Sequence, residues 1–176
     1  MGRNFGILNL TNQEFIKELK EESFKSFKEK YEWIVNFDSI KEENGDKLLK
    51  YFEESMWNDI DWLIRYILGE VNNFSEEEKL KETYISLETI KGEVWCNTYL
   101  NNNYNNINWD EWEETKLGYI VKIAELKFKL DKNEDLTAPE VAKLANSSIK
   151  RVVNLIQNPK NNYKGDKREI NSQKVW

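Results

Sequence analysis

Three times along this chain a hydroxyl residue stands three positions ahead of a glutamate at the head of an apolar run: Thr11 with Glu14, Ser75 with Glu78, and Thr137 with Glu140. At that spacing the hydroxyl accepts from the glutamate's backbone amide while the carboxylate reaches back to the capping residue's own amide. Two donors that a helix start leaves unpaired are then satisfied together. Each pair predicts a helix start, and the runs behind them keep helical spacing. From Thr11 to about Phe37 the residues Phe15, Ile16, Leu19, Phe24, Phe27, Tyr31 and Ile34 recur with Lys and Glu between them.

A second helix follows the Asn44-Gly45 break, capped by Asp46 and running to about Val71. Its apolar side is Leu49, Phe52, Met56, Ile60, Leu63, Ile64 and Ile67, which suits the central helix of its domain; Asn72, Asn73 and Phe74 close it. The third, Glu76 to Leu100, offers Leu80, Tyr84, Leu87, Ile90 and Val94. Gly92 inside it costs about 1 kcal/mol relative to Ala and suggests a kink or a close contact. Beyond the Asn-rich turn 101–108, Asn108 caps a fourth helix with Trp109, Trp112, Leu117, Ile120, Val121, Ala124 and Phe128 along one side. Nothing in the first 130 residues alternates as a strand does. The fold class expected is therefore mainly all-α, with residues 1–130 forming a four-helix domain and the polar stretch Asp131 to Asp135 a short linker.

Charge divides the chain more sharply than its formal sum of −6 suggests. Residues 136–176 carry about +5, and everything before them −11. An acidic domain for self-association or a protein partner, followed by a basic head, is the organisation this implies. One cysteine, Cys96, excludes an internal disulfide, and no apolar run approaches the roughly 20 residues that cross a membrane. The start MGRNFG lacks a basic-then-apolar leader, so a reduced, cytoplasmic setting is expected. With no histidine anywhere, the commonest general base and metal ligand are both missing. Glu53 with Glu54, and Asp59 with Asp61, are spaced so that their carboxylates diverge on a helix, which makes a solvated face of them and not a metal or acid–base site. The scattered glycines form no phosphate loop. No enzyme, cofactor or metal is expected.

The basic end holds the most specific local pattern. Pro139 lies in the first turn behind Thr137, where its missing donor is harmless, and a helix there presents Val141, Ala142, Leu144 and Ala145. The small Ala142 admits a second helix close by. Asn146 ends the first helix by entering the left-handed conformation cheaply, and Ser147 or Ser148 caps the next. In that second helix Ile149, Val152, Val153 and Ile156 make a buried stripe, opposite Ser147, Lys150, Arg151, Asn154 and Asn158; Pro159 lies past its end. The continuation YKGDKREINSQKVW carries Lys164, Gly165, Lys167 and Arg168, then Ile170 and Val175.

Taken together, Leu136, Thr137, Glu140, Val141, Ala142, Leu144, Ser148, Val152 and Ile156 followed by that basic stretch resemble the winged helix-turn-helix of phage excisionases and mercury-resistance-type regulators, in which a short hairpin stands at the corresponding place. The resemblance covers only the last quarter of the chain. It implies a head at 136–176, with a short β-hairpin wing, that binds double-stranded DNA. Its second helix would lie in the major groove with Ser147, Ser148, Lys150, Arg151, Asn154 and Asn158 toward bases or phosphates, and Lys164, Lys167 and Arg168 would follow the backbone or the adjacent minor groove. The expected function is that of a bacterial or phage transcriptional regulator or DNA-architectural accessory, dimeric through its N-terminal helices. The alternative is a protein-interaction or inhibitor factor acting through the acidic domain, with the tail structural or autoregulatory. Trp33, Trp57, Trp62, Trp95, Trp109 and Trp112 serve either reading, as core or as interface.

Overall fold

The structure, a computed structural model, describes residues 7–35, 45–100 and 112–157. These are helices joined by short turns, with no strand among them, so the chain is mainly all-α. It divides into two compact units, Met1–Ala124 and Glu125–Trp176.

In the first unit a 3₁₀ turn, Ile7–Thr11, leads into α1, Gln13–Val35. That turn takes in Thr11, so the cap passes to Asn12: its Oδ1 accepts the Glu14 amide at 2.9 Å and its carbonyl accepts the Ile16 amide at 3.1 Å. Asparagine is the stronger N-cap of the two. Next, α2 (Gly45–Phe52), a π-helical turn (Glu53–Trp57) and α3 (Asn58–Leu68) follow without a break. Asp46 lies in the first turn of α2 instead of ahead of it, still where a negative charge suits the helix dipole.

The π turn has a sequence cause. Buried Leu48, Phe52, Met56, Ile60 and Ile64 step by four, and on a helix of 3.6 residues per turn each such step drifts about 40° around the axis. A turn with i→i+5 hydrogen bonds takes part of that drift back, keeping the run on one side. Leu48 faces inward in place of Leu49, which is exposed. The helix closes at Gly69, three residues before the asparagines: with φ at +75° it lets the Glu70 amide reach the Arg65 carbonyl at 2.8 Å.

Helix α4 spans Glu76–Leu100 as the sequence predicts, opened by Ser75, whose amide donates to Glu78 Oε2 at 2.8 Å while the Glu78 amide returns to Ser75 Oγ at 3.3 Å. The bonds that Ser75 donates to this carboxylate, from its amide foremost and from its hydroxyl at 2.8 Å, hold the Glu78 carboxyl below the usual range. Its buried side is Thr83, Ser86, Leu87 and Ile90; Tyr84 turns outward. Against α3 this face makes a polar seam, with Trp62 Nε1 donating to Thr83 Oγ1 at 3.1 Å and Ser86 Oγ to Asp59 Oδ1 at 2.8 Å. Gly92 has open space where a side chain would stand, so it marks no close contact among the described residues.

The expected fourth helix is interrupted by a turn at Glu114 and Thr115, with Trp112 and Glu113 helical ahead of it. Thr115 caps α5 (Lys116–Asp131), and its Oγ1 accepts the Gly118 amide at 3.0 Å. Asn108 and Trp109 lie outside the described residues. Helix α5 is enclosed: Ile120, Val121, Ile123 and Ala124 are all fully buried, which takes up nearly every side of the helix. Lys116 at its first turn is buried too. Its ammonium meets Glu22 Oε1 at 2.6 Å and Glu18 Oε2 at 2.8 Å, both from α1. Burial pulls its pKa down, but the hydrogen bonds and charges of Glu18 and Glu22 outweigh that and hold it above the ordinary lysine value.

Aromatic rings fill the α1–α2 side. Phe52 lies 5.3 Å from both Phe24 and Phe27, and Trp57 stacks beyond it under Lys20, which also pairs with Glu53 at 2.6 Å. Trp62 meets Phe74 edge-on at 5.0 Å. Trp57 and Trp62 thus pack within the unit, while the side chains of Trp33, Trp95, Cys96 and Trp109 lie outside the described residues.

Candidate nucleic-acid interface

The second unit is built from local signals. Helix α5 stops at Asn133, φ +58°, where the Glu134 amide reaches back to the Lys129 carbonyl at 2.8 Å. A short extended stretch brings the chain to Thr137, the cap of α6 (Ala138–Leu144). Here the capping box is complete: the Thr137 amide donates to Glu140 Oε2 at 2.8 Å and its hydroxyl to the same oxygen at 2.9 Å. The other Glu140 oxygen accepts from Lys129 Nζ at 2.8 Å, tying the cap to the end of α5. Partial burial raises the Glu140 pKa, but Lys129 and Thr137 outweigh it, so the carboxyl sits below its usual range.

The turn between the two short helices follows the sequence closely. Asn146 takes φ +47°, the Ser147 amide donates to the Ala142 carbonyl at 2.8 Å and the Asn146 amide to Lys143 at 3.2 Å. Of the two candidate caps it is Ser148 that opens α7 (Ile149–Gln157), its Oγ accepting the Arg151 amide at 3.3 Å. The helices close on Ala138, Ala142 and Val152, with Val141 and Val153 packed around them. Both alanines are fully covered, and their size is what lets α7 come near α6.

Lys150, Arg151 and Asn154 are all exposed, on the side of α7 away from Val152. Residues 150 and 154 are four apart and 151 and 154 three apart, so the three side chains share one face. Together they offer an ammonium, a guanidinium fork and an amide that both donates and accepts. Ser148 is exposed at the cap and Ser147 half-buried in the turn. The remaining expected contacts, Asn158, Lys164, Lys167 and Arg168, with the hairpin they belong to, lie outside the described residues.

One expectation fails: Ile149, assigned to the buried stripe, is 51% exposed. Val152 and Val153 pack with Ala138 and Ala142, and Ile149 is not part of that cluster. The charge pattern around this face is sharper than the net charge of the tail conveys: from Val141 to Gly165 the chain carries no Asp or Glu, although acids make up 32 of its 176 residues. Three carboxylates of this unit that precede the stretch are engaged, Asp131 with Lys127, Glu134 with Lys132 and Glu140 with Lys129.

The acidic pairs of the first unit go to separate partners: Glu53 to Lys20, Glu54 to Lys50, Asp61 to Arg65, and Asp59 to Ser86. Burial, with Glu82 nearby, raises the Asp59 pKa against the lowering effect of the Ser86 hydroxyl. Among the described residues no three metal-ligating side chains converge, and no helix is long and apolar enough to cross a membrane.

Fold and face together define a chain whose described residues are all helices and turns, the last two helices short, closely packed and cationic on their outer side. No protein family, characterised protein or solved structure matches it.

Proposed function

We propose that this chain is a sequence-specific DNA-binding protein of the bacterial or phage type, a transcriptional regulator or DNA-architectural accessory, working in the cytoplasm by binding alone. On this reading residues 136–176 are a winged helix-turn-helix head, with the wing at Lys164–Arg168, and residues 1–130 are the acidic partner-binding or self-associating domain. The observation that carries it is the outer side of α7: Lys150, Arg151 and Asn154 stand exposed together within a stretch that lacks any carboxylate. A duplex repels acids along the whole contact, so a DNA-facing helix has to exclude them, whereas a merely solvated face of this acidic chain has no reason to. Arg151 and Asn154 carry the geometry for base edges and Lys150 that for a phosphate.

The test is selection from a random duplex pool by the full chain, followed by affinity against salt for the selected sequence. Lys150→Ala with Arg151→Ala should weaken binding and reduce the slope of log affinity against log salt by up to about two, since each phosphate that a cation neutralises contributes roughly 0.9 to it. Affinity and slope that stay unchanged in the double variant would remove the assignment.

A further inference from the structure

Ile149 has a counterpart in the first unit. On the outward side of α4, Ile85 is 43% and Tyr84 55% exposed. Glu82 and Glu88, both exposed, stand three residues before and after Ile85, about 4.5 Å along the helix on either side. Lys81 shares the face and Lys91 stands 4.0 Å from Glu88, but Glu77 and Glu78 keep its balance negative. The patch on α7 is the inverse: an exposed isoleucine followed directly by exposed Lys150 and Arg151, with no acid nearby in sequence.

We infer that the first turn of α7 in one copy of this chain docks on the outward face of α4 in a second copy, Ile149 against Ile85 and Tyr84, with Lys150 and Arg151 reaching Glu82 and Glu88. Each apolar residue is uncovered where its neighbours on the same helix are buried, and the flanking charges are opposite, so the two patches supply both an apolar centre and a polar rim. The opposite net charges of the two parts of the chain favour the same encounter at long range. The contact joins different surfaces of the two copies, so it propagates head to tail and is not limited to a symmetric pair. It is small, which makes it weak, transient and salt-sensitive. It also occupies Lys150 and Arg151. Self-association by this route does not depend on the function proposed above, but its consequence for DNA does: duplex and α4 compete for the same cations.

Sedimentation velocity of the full chain over a range of concentrations tests this. The average mass should rise with concentration at low salt, and association should weaken about tenfold on going to physiological salt. Glu82→Lys with Glu88→Lys should abolish it, as should Lys150→Glu with Arg151→Glu, and an equimolar mixture of the two variants should associate again. That mixture guards against misfolding, because two damaged proteins do not restore each other. A wild-type monomer at every concentration overturns the inference. So does association that persists in the Lys150→Glu, Arg151→Glu variant, or a mixture that stays monomeric. If association behaves as described and no duplex is ever selected, the DNA reading falls and this one stands; if a duplex is bound and association is absent, the reverse holds.

Discussion

Replacing Gly118 by alanine should be among the most damaging single changes to the first unit, although alanine is the better helix former. A methyl group there would lie 1.9 Å from the Trp112 carbonyl oxygen, 2.6 Å from its carbon and 3.0 Å from Glu113 Cα. Ordinary contact lies at roughly 3.5 Å, so the turn before α5 has to retreat by about 1.5 Å. It is held by two hydrogen bonds to that same carbonyl, from the Thr115 amide at 2.9 Å and its hydroxyl at 2.7 Å, and by the Gly118 amide on Thr115 Oγ1 at 3.0 Å. Losing three such bonds costs about 1 kcal/mol each, and residual overpacking adds about 1–3 kcal/mol. The gain in helix propensity returns about 1 kcal/mol. The net expectation is a loss of about 3–5 kcal/mol. Gly92→Ala is the control, because its site is open; it should stabilise by about 0.5–1 kcal/mol. Urea denaturation followed by tryptophan fluorescence reads both, since six of the seven tryptophans lie in residues 1–124. Should Gly118→Ala unfold within 1 kcal/mol of wild type, or should the two substitutions share a sign, the close approach at α5 is not what excludes a side chain there.

Four further outcomes follow from the polar contacts. Thr137→Ala should cost the second unit about 1 kcal/mol by removing its cap. Because the folded Glu140 pKa is lowered, that carboxylate's contribution is present above its unfolded value near 4.5 and lost as pH falls through the folded one, so a pH series of Glu140→Gln against wild type should converge in acid. Asp59→Asn should raise stability at neutral pH, since burial disfavours the charge and the amide can still accept from Ser86; with the folded pKa raised above 3.8, the penalty is complete once pH has risen through the folded value, and the advantage should vanish in acid denaturation curves taken below the unfolded one. Lys116→Met leaves Glu18 and Glu22 facing one another and should destabilise by about 1–2 kcal/mol, a modest figure because both carboxylates are half exposed. Adding Glu18→Gln and Glu22→Gln should recover most of it in thermal melts. Recovery by neither would mean that the ion cluster is incidental.

What the sequence determined by itself is whatever depends on neighbours a few residues apart. The boxes at Ser75–Glu78 and Thr137–Glu140, the left-handed Asn146 and the full span of α4 are all interactions across two to five positions, so residue order is enough to specify them. Even the misses were local ones: Gly69 instead of Asn72 as the stop, and Asn12 instead of Thr11 as the cap.

Tertiary structure decided the rest, because burial and charge pairing depend on residues far apart in the chain. Lys116 looks like any surface lysine until α1 brings Glu18 and Glu22 to it across 94 positions or more. Gly118 and Gly92 look alike until one is found against a carbonyl and the other in the open. Ile149 fits its stripe by spacing, yet it stands exposed outside the cluster of Ala138, Ala142 and Val152. Spacing sets the direction in which a side chain leaves its helix; only the packing of other segments settles whether anything lies there to receive it.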